Sequence, residues 1–249
     1  MAKQKGIFRF TGTIDGLTYY DSKYGPLVRR KGGPTSKQIK TDPKFKRVRE
    51  NASEFGSCSK ATKLLRSVLN PLMHDASDFQ VTGRLNKLMH AIKNLDNISE
   101  RGERSVAVGM SFPTANDLAK DFDFNELAKM NRVLKKPYNV NTSTGVISIT
   151  GLTPKKNLKY PANATHAKIT GAWARIDFGS GLSELQITNQ VRIPLDGSVH
   201  NIVLTPSSVP ASSGSDIFVL QIVFLQEING DTYVMKNGEF NSMAIIAVS

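Results

Sequence analysis

The chain has 249 residues, 39% of them hydrophobic, which is enough for one large domain or two ordinary ones with a buried core. Its longest apolar run, Ile217–Leu225, is interrupted by Gln221 and is less than half of the roughly 20 residues that a membrane-spanning helix needs. A single cysteine, Cys58, excludes an intramolecular disulfide framework and a cysteine-rich zinc site.

The net charge of +12 is unevenly distributed along the chain. Residues 1–50 hold 13 Lys and Arg against 4 Asp and Glu, residues 51–136 hold 13 against 10, and residues 137–249 hold 7 against 7. This polarity predicts a negatively charged partner at the N-terminal end, which could be nucleic acid, an acidic protein surface or a membrane face. The alternative is a solubilising surface that binds nothing specific.

The opening of the chain predicts a β-meander. Asp15-Gly16 lies between two alternating runs, and this pair is a strong hairpin signal because both central residues of a type I′ turn need positive φ. Phe8, Phe10 and Ile14 share one face of the first strand, and we expect this apolar side to dock on the following helices or on a neighbouring subunit. The three predicted strands are Ile7–Ile14, Leu17–Asp21 and Leu27–Arg30.

A loop at Gly32–Ser36 leads to two predicted helices. Asp42-Pro43 supplies an N-cap and a first-turn proline, and we expect the first helix to end at Asn70-Pro71. The second helix is predicted at Asp78–Leu95, and the short connection indicates an antiparallel αα-hairpin. The predicted buried stripe of the first helix is Phe45, Val48, Ala52, Phe55, Ser59, Thr62, Leu65 and Leu69.

The remainder of the chain predicts mostly strands. Ser105–Phe112 has a strand pattern, and Ala115–Leu134 fits either a broken helix or a strand. From Pro137 onward, short alternating runs with Gly and Pro turns indicate an antiparallel β-sandwich. The predicted strands are Tyr138–Val140, Val146–Thr150, His166–Phe178, Glu184–Ile193, Val199–Thr205, Ile217–Glu227, Thr232–Lys236 and Met243–Val248.

These elements predict an α+β, mainly β protein with two domains. Residues 1–136 form a basic β-meander with a helical hairpin, and residues 137–249 form the β-sandwich. The apolar segment of a secretion signal is missing near the N-terminus, so we expect a cytoplasmic protein, or one incorporated in a particle that assembles there.

No catalytic or metal-binding motif is found in the sequence, and we expect neither an enzyme nor a cofactor. The four histidines lack metal-ligand spacing, and Gly179-Ser180-Gly181 lacks the lysine and helix of a phosphate-binding loop, which makes it a hairpin turn. Asp121 and Asp123 lack the further oxygen ligands of an EF-hand. Cys58 is interpreted as a buried, inert thiol.

The basic residues near the N-terminus are the candidate contacts for nucleic acid or an acidic partner. Aromatic side chains accompany them, and this mixture stacks on bases and neutralises phosphates, although tyrosines are also ordinary strand residues. The aromatic candidates are Tyr19, Tyr20 and Tyr24. The basic candidates are Arg9, Lys23, Arg29, Arg30, Lys31, Lys37, Lys40, Lys44, Lys46, Arg47 and Arg49.

Several separated blocks resemble a family of uncharacterised proteins of Bacteroidota, in the same order along nearly the whole chain. They are the opening KGIFRFTGTIDGLTYY, the stretch from Asp42-Pro43-Lys44-Phe45 to Glu54-Phe55-Gly56, KPYNVNTSTGVISITGL, Ala164-Thr165-His166, Gly171-Ala172-Trp173-Ala174 and Val219–Phe224. The resemblance implies a bacterial origin and a single architecture for these pieces. It transfers no activity, cofactor or site residue.

The sequence therefore predicts a structural or assembly protein, such as a component of a phage-like or injection-machine particle, which forms a homo-oligomer through free strand edges. A dedicated nucleic-acid-binding module is the first alternative. The second is a carbohydrate- or protein-binding sandwich with a site around Trp173, Tyr233 or Phe240.

Overall fold

A computed structural model describes residues 2–6, 8–235 and 238–249. The chain divides into two compact units, residues 1–49 (the N-terminal unit) and residues 50–249 (the C-terminal unit). The strands are β1 Ala2–Lys3, β2 Gly12–Ile14, β3 Leu17–Ser22, β4 Gly25–Arg30, β5 Asn139–Val140, β6 Ile147–Leu152, β7 His166–Ile176, β8 Ser183–Pro194, β9 His200–Leu204, β10 Ser215–Ile228, β11 Asp231–Val234 and β12 Ser242–Val248. The helices are α1 Ser36–Thr41, α2 Lys46–Ala76, α3 Val81–Lys93, α4 Val106–Gly109, α5 Pro113–Ala119, α6 Met130–Val133 and α7 Pro154–Asn157.

The N-terminal unit contains the predicted meander, with an additional strand. Its sheet has the order β1-β4-β3-β2, and every described pairing in it is antiparallel. The two-residue turn is confirmed, since Asp15 and Gly16 have φ values of 48° and 74° and join the Ile14↔Leu17 pair. The first predicted strand is too long, because β2 begins only at Gly12 and residue 7 lies outside the described residues.

A short helix occupies part of the linker after the meander. α1 begins with a capping box, in which the Thr35 side chain accepts from the Gln38 backbone and the Gln38 side chain accepts from the Thr35 backbone. Asp42 then caps a 3₁₀ turn, Pro43–Phe45, by accepting a hydrogen bond from the Lys44 N–H at 2.9 Å. The predicted cap at Asp42-Pro43 is thus confirmed, and α2 follows directly.

α2 and α3 form the predicted αα-hairpin. Lys93 Nζ lies 2.5 Å from Glu54 Oε2, and Thr62 Oγ1 donates to Asn86 Oδ1 at 3.3 Å. The later residue of α3 thus pairs with the earlier residue of α2. The two helices are therefore antiparallel. The predicted end of the first helix at Asn70-Pro71 is wrong, because α2 continues to Ala76. Pro71 is exposed, and burial of the apolar side chains that follow it outweighs the lost hydrogen bond.

The predicted buried stripe of α2 is confirmed only in its second half. Thr62, Leu65 and Leu69 are buried, whereas Val48 and Phe55 are about half exposed. The buried positions of the first half are Glu54, Cys58 and Ala61. The stripe thus lies one residue from the predicted phase there, because a charged residue, Glu54, occupies an interior position.

The predicted strand at Ser105–Phe112 is wrong, since this segment contains α4. Ser105 caps the helix by accepting from the Val108 N–H at 3.2 Å, and Met110 N donates to the Val106 carbonyl at 2.8 Å. These local hydrogen bonds replace a strand ladder. The ambiguous segment Ala115–Leu134 contains α5 and α6, with a single bridge from Asp123 to Ala244 between them.

The eight strands predicted from residue 137 onward are present as β5 to β12, with boundaries shifted by a few residues. The end of the seventh predicted strand, Lys236, lies outside the described residues. A large sheet has the order β11-β10-β7-β8, with β12 also paired to β10, and a small sheet has the order β5-β6-β9. Thr188 of β8, in the large sheet, forms an antiparallel bridge with Pro206, which follows β9 of the small sheet. This bridge connects the two sheets, and the antiparallel sheet region is curled. The predicted α+β class is confirmed.

The large sheet is buried on both faces. Alternate residues of β10 face a core shared with α2 and α3, and they include Ile217, Val219 and Val223. The intervening residues, among them Phe218 and Phe224, face a second core shared with the small sheet. Helical hairpin and sandwich therefore belong to one compact unit, and the division of the chain at residues 49 and 50 differs from the predicted boundary between 136 and 137. Among the described residues, no helix is long and apolar enough to cross a membrane.

Candidate nucleic-acid interface

The structure places all eleven predicted contact residues in the N-terminal unit. This unit holds 13 Lys and Arg against 3 Asp and Glu. Ten of the eleven candidates have exposed side chains, namely Arg9, Lys23, Arg29, Arg30, Lys31, Lys37, Lys40, Lys44, Lys46 and Arg47. The N-terminal unit therefore presents a dense cationic surface to solvent.

Arg49 differs from the other candidates because it is bound within the unit. Its Nη1 donates to the carbonyl oxygen of Ile39 at 2.7 Å and to that of Asp42 at 3.0 Å. These acceptors lie at the end of α1 and just after it, so the guanidinium fixes α1 against the start of α2. Arg49 is a structural residue, and the remaining ten candidates belong to the basic surface.

Arg29 and Arg30 extend from opposite faces of the N-terminal sheet, because successive strand residues alternate. Arg29 pairs with Thr18 and lies on the face of Tyr20, and its guanidinium carbon is 5.4 Å from the centre of that ring. Arg30 pairs with Leu17 and lies on the other face. The two arginines thus contribute to two surfaces rather than to one cluster.

Two cation–π contacts orient basic side chains of the meander. Besides Arg29 over Tyr20, the Lys23 ammonium lies 5.0 Å from the centre of the Tyr24 ring. In the turn that carries this second pair, Ser22 Oγ donates to the Gly25 carbonyl at 2.9 Å and accepts from the Tyr24 N–H at 3.1 Å. Such pairs place a positive charge beside an aromatic face, the combination that binds a phosphate and a neighbouring base.

The remaining cations follow one another along the helical part of the unit. Lys37 and Lys40 are three residues apart in α1, and Lys44 belongs to the 3₁₀ turn. Lys46 and Arg47 begin α2, where the helix dipole disfavours positive charge. The helix dipole therefore does not favour their position.

The apolar side of the meander is exposed. The exposed fraction is 77% for Phe8, 51% for Phe10 and 53% for Ile14. Phe10 contacts the Tyr19 ring at a centroid distance of 5.9 Å, and the Gln4 side chain binds its backbone, while Phe8 lies outside the strands. These side chains remain accessible beside the basic surface.

Trp173 of the alternative binding site on the sandwich is not accessible to a ligand. Trp173 is 1% exposed, and its indole Nε1 donates to Asp216 Oδ1 at 2.5 Å, so it belongs to the core. Tyr233 is 55% exposed, and Phe240 packs against the second core.

Cys58 is buried as predicted, and burial raises the pKa of its thiol. The turn at Gly179-Ser180-Gly181 is capped by the Asp177 carboxylate, which occupies the N–H groups of Gly179 and Ser180.

Within the part of the chain that the structure describes, no group of three or more His, Cys, Asp or Glu side chains could hold a metal ion. No protein-family model, curated protein or solved structure matches the chain. Its function is accordingly inferred from the geometry and charge of its own residues.

Two features of the interface are missing from the sequence-based prediction. The first is α1, although Thr35-x-x-Gln38 is a capping-box pattern that indicates a helix start. The second is the structural binding of Arg49, which no local pattern distinguishes from the neighbouring cations. Only the folded geometry brings the Ile39 and Asp42 carbonyls to its guanidinium.

Proposed function

We propose that this chain is a non-enzymatic structural or assembly protein whose N-terminal unit attaches it to nucleic acid. The observation that supports this proposal most strongly is the division of charge. The N-terminal unit carries 13 cationic side chains against 3 acidic ones, whereas the C-terminal unit carries 20 against 18. A surface with this excess of positive charge concentrates phosphate-rich polymers near it.

The arrangement of the ten exposed candidate cations favours a polymer over a small anion. They are spread over the segment before β2, both faces of the sheet, the turn at Lys23, the segment that follows β4, and the helical part from α1 to the start of α2. An extended polyanion can contact such separated groups in sequence. The nearby rings of Tyr20 and Tyr24 favour nucleic acid over an acidic protein, because bases stack on aromatic faces.

A salt titration tests this attachment directly. The full chain is titrated into labelled random-sequence duplex DNA at several salt concentrations, and binding is followed by fluorescence anisotropy. Six phosphate contacts would give a slope of log Kobs against log salt of about −5, since each contact releases about 0.9 counterion. A slope near zero would contradict the proposal, and equally tight binding to polyglutamate would assign the surface to acidic proteins.

A matched pair of variants places the contact on the N-terminal unit. Arg29→Gln with Lys31→Gln removes two exposed cations from this unit, and Lys155→Gln with Lys156→Gln removes two from the C-terminal unit. We expect the first pair to make the slope less negative by about 2 and the second to leave it unchanged. Equal effects of both pairs would mean that only the total charge matters.

The assembly part of the proposal concerns the edges of the N-terminal sheet. β1 and β2 are the outer strands of this sheet, and Ile14 of β2 is exposed. In this proposal, copies of the chain gather along one nucleic acid in a particle that forms in the cytoplasm, as in a phage-like or injection-machine component. Native mass measured with and without nuclease tests it. A discrete monomer insensitive to nuclease would contradict both attachment and assembly.

A further inference from the structure

The C-terminal unit contains an open cleft of about 410 Å³, which is unrelated to the basic surface. The cleft is lined by Asp121 and Asp123, by the start of α6, by residues 134–138 and by Ala244 of β12. The volume falls within the range of about 300–1,000 Å³ that is typical of small-molecule sites. The lining combines carboxylates, lysines, a phenol and apolar side chains.

Two carboxylates, those of Asp121 and Asp123, line one part of the cleft, and the backbone around them is fixed. Asp121 N donates to the Ile245 carbonyl at 2.8 Å, and Asp123 bridges to Ala244 of β12. Arg84 of α3 donates to the carbonyl of Asp123 at 3.0 Å. The backbone that carries the two carboxylates is therefore held by hydrogen bonds to β12 and α3.

The Asp123 carboxylate is only partly compensated by neighbouring positive charge. Asp123 Oδ1 accepts from the Met130 N–H at 2.7 Å, but Lys129, the nearby ammonium, lies 2.6 Å from a carboxylate oxygen of Glu126. Burial raises the pKa of Asp123, and the charges of Glu126 and Asp121 add to this effect. A ligand that brings a positive charge to this part of the cleft would stabilise the charged form of Asp123.

Tyr138 adds a hydroxyl group to the part of the cleft that contains the two carboxylates. Its side chain is half-buried and lines the cleft beside the two carboxylates. Burial raises the pKa of the Tyr138 phenol, and the charges of Asp121 and Asp123 raise it further. The phenol therefore stays protonated and offers a hydroxyl that both donates and accepts hydrogen bonds.

Lys135 and Lys136 give the same cleft a positive part. The backbone there is also fixed, because Lys135 N donates to the Asn157 carbonyl at 2.8 Å and Leu134 bridges to Leu158. Leu134 and Pro137 supply apolar surface in the same cleft.

We propose that this cleft binds a small zwitterion of the amino-acid type. The ammonium group of the ligand lies against Asp121 and Asp123, and its carboxylate lies against Lys135 and Lys136. An apolar side chain of the ligand packs on Leu134 and Pro137. Groups of both charges and an apolar surface in the same cleft distinguish this ligand class from simple cations or anions.

The test uses the full-length chain and three probes, with binding followed by backbone amide chemical shifts. L-leucine supplies both charges and an apolar side chain, methylammonium supplies only the positive charge, and acetate supplies only the negative charge. We expect saturable shifts at residues 121–123 and 134–138 with L-leucine, and at least about tenfold weaker binding of the other two probes. The absence of saturable shifts with L-leucine would overturn the proposal, and equal binding of methylammonium would overturn the part assigned to the lysines.

Variants with matched controls complete the test. Asp123→Asn keeps an oxygen that can accept from the Met130 N–H, and we expect it to weaken L-leucine binding at least about tenfold. Asp117→Asn, an exposed position of α5, should leave binding unchanged. Tyr138→Phe removes only a hydroxyl and provides a second variant if Asp123→Asn does not fold. Wild-type affinity in both Asp123→Asn and Tyr138→Phe would contradict the proposed site.

Discussion

The two units of this chain are stabilised by different interactions. In the C-terminal unit, the large sheet lies between two cores, and its central strand β10 is buried continuously from Ile217 to Leu225. Among the described residues of the N-terminal unit, Leu27 is the one buried hydrophobic side chain. The first unit in the chain therefore depends on turns, caps and backbone ladders, and the second on apolar burial.

This difference implies that the stability of the N-terminal unit responds to a bound polyanion more than the stability of the C-terminal unit does. The excess of positive charge in the N-terminal unit opposes its own compact state, and a polyanion would remove that repulsion. The C-terminal unit has nearly balanced charge and a closely packed interior, so charge repulsion opposes its compact state less. In the proposed function, the N-terminal unit is the part whose stability depends on what it binds.

The largest expected contrast comes from the same substitution in each unit. Phe224 is fully buried in the second core, and Phe224→Ala should lower the free energy of unfolding of the C-terminal unit by about 3–5 kcal/mol. Phe8→Ala, at a 77% exposed position, should change the free energy of unfolding by less than about 0.5 kcal/mol. Trp173, the single tryptophan, is buried in the C-terminal unit and reports its denaturant unfolding by fluorescence.

Hydrogen exchange extends this test to the N-terminal unit. Phe8→Ala should leave the amide protection of β3 and β4 unchanged, because the removed side chain is solvated. Strong loss of protection there would show that Phe8 packs in solution, and the contrast between the two units would then be incorrect.

A buried charge network marks the second difference between the units. Glu54 of α2 accepts from the Arg104 Nε and Nη2 atoms at 2.8 Å, from the Gly102 N–H at 2.8 Å, and from Lys93 Nζ. The Arg104 guanidinium, aided by Lys93 and the Gly102 amide, holds the pKa of Glu54 well below its usual range although burial opposes this. Two cations of the C-terminal unit, Lys93 and Arg104, are thus balanced by a buried carboxylate. Ten basic side chains of the N-terminal unit are exposed to solvent.

Glu54→Gln should lower the free energy of unfolding at neutral pH by about 3 kcal/mol, because the buried Lys93 ammonium loses its counter-charge. The matched substitution Glu103→Gln, at an exposed position, should have an effect below about 0.5 kcal/mol. A loss in Glu54→Gln no greater than that in Glu103→Gln would contradict the network.

The same variant should change the acid response of the protein. Since the pKa of Glu54 is lowered in the folded state, its contribution is complete above the ordinary glutamate value of about 4.3 and is lost as the pH falls below it. Glu54→Gln should therefore show a weaker decline in stability between about pH 4.5 and pH 2 than the wild-type chain. An unchanged decline would assign acid sensitivity to other carboxyl groups.

Most of the C-terminal fold could be predicted because its strands have strong local signals. Alternation and turn residues locate all eight strands, and Asp15-Gly16 locates the hairpin of the N-terminal unit. Three-dimensional packing decides the rest. The end of α2 after Pro71 depends on burial of Leu72 and Met73, and the helix at Val106–Gly109 depends on a cap from Ser105 and packing against α3.

The location of the basic surface also follows from the sequence, but the geometry within it does not. Composition identifies the first 49 residues as cationic, while the binding of Arg49 to two carbonyl groups requires the fold. The cleft beside Asp123 and Tyr138 is lined by residues that are far apart in the sequence, from Asp121 to Ala244. Sequence spacing alone does not show that Asp121, Asp123 and Lys135 line the same cavity.

The smallest expected contrast between the two units comes from replacing a glycine with alanine, which tests how closely the backbone packs at each position. A Cβ atom at Gly109 of α4 would lie 2.2 Å from the Ile92 carbonyl oxygen of α3, so Gly109→Ala should lower the free energy of unfolding by about 1–3 kcal/mol. At Gly32 of the N-terminal unit, the nearest atom to such a Cβ is the Arg30 carbonyl oxygen at 3.9 Å, and Gly32→Ala should preserve or slightly increase the protection of β4 amides. Trp173 fluorescence measures the first effect, and hydrogen exchange measures the second. A neutral Gly109→Ala would mean that α3 and α4 adjust freely, and the close packing that distinguishes the C-terminal unit would not extend to its helices.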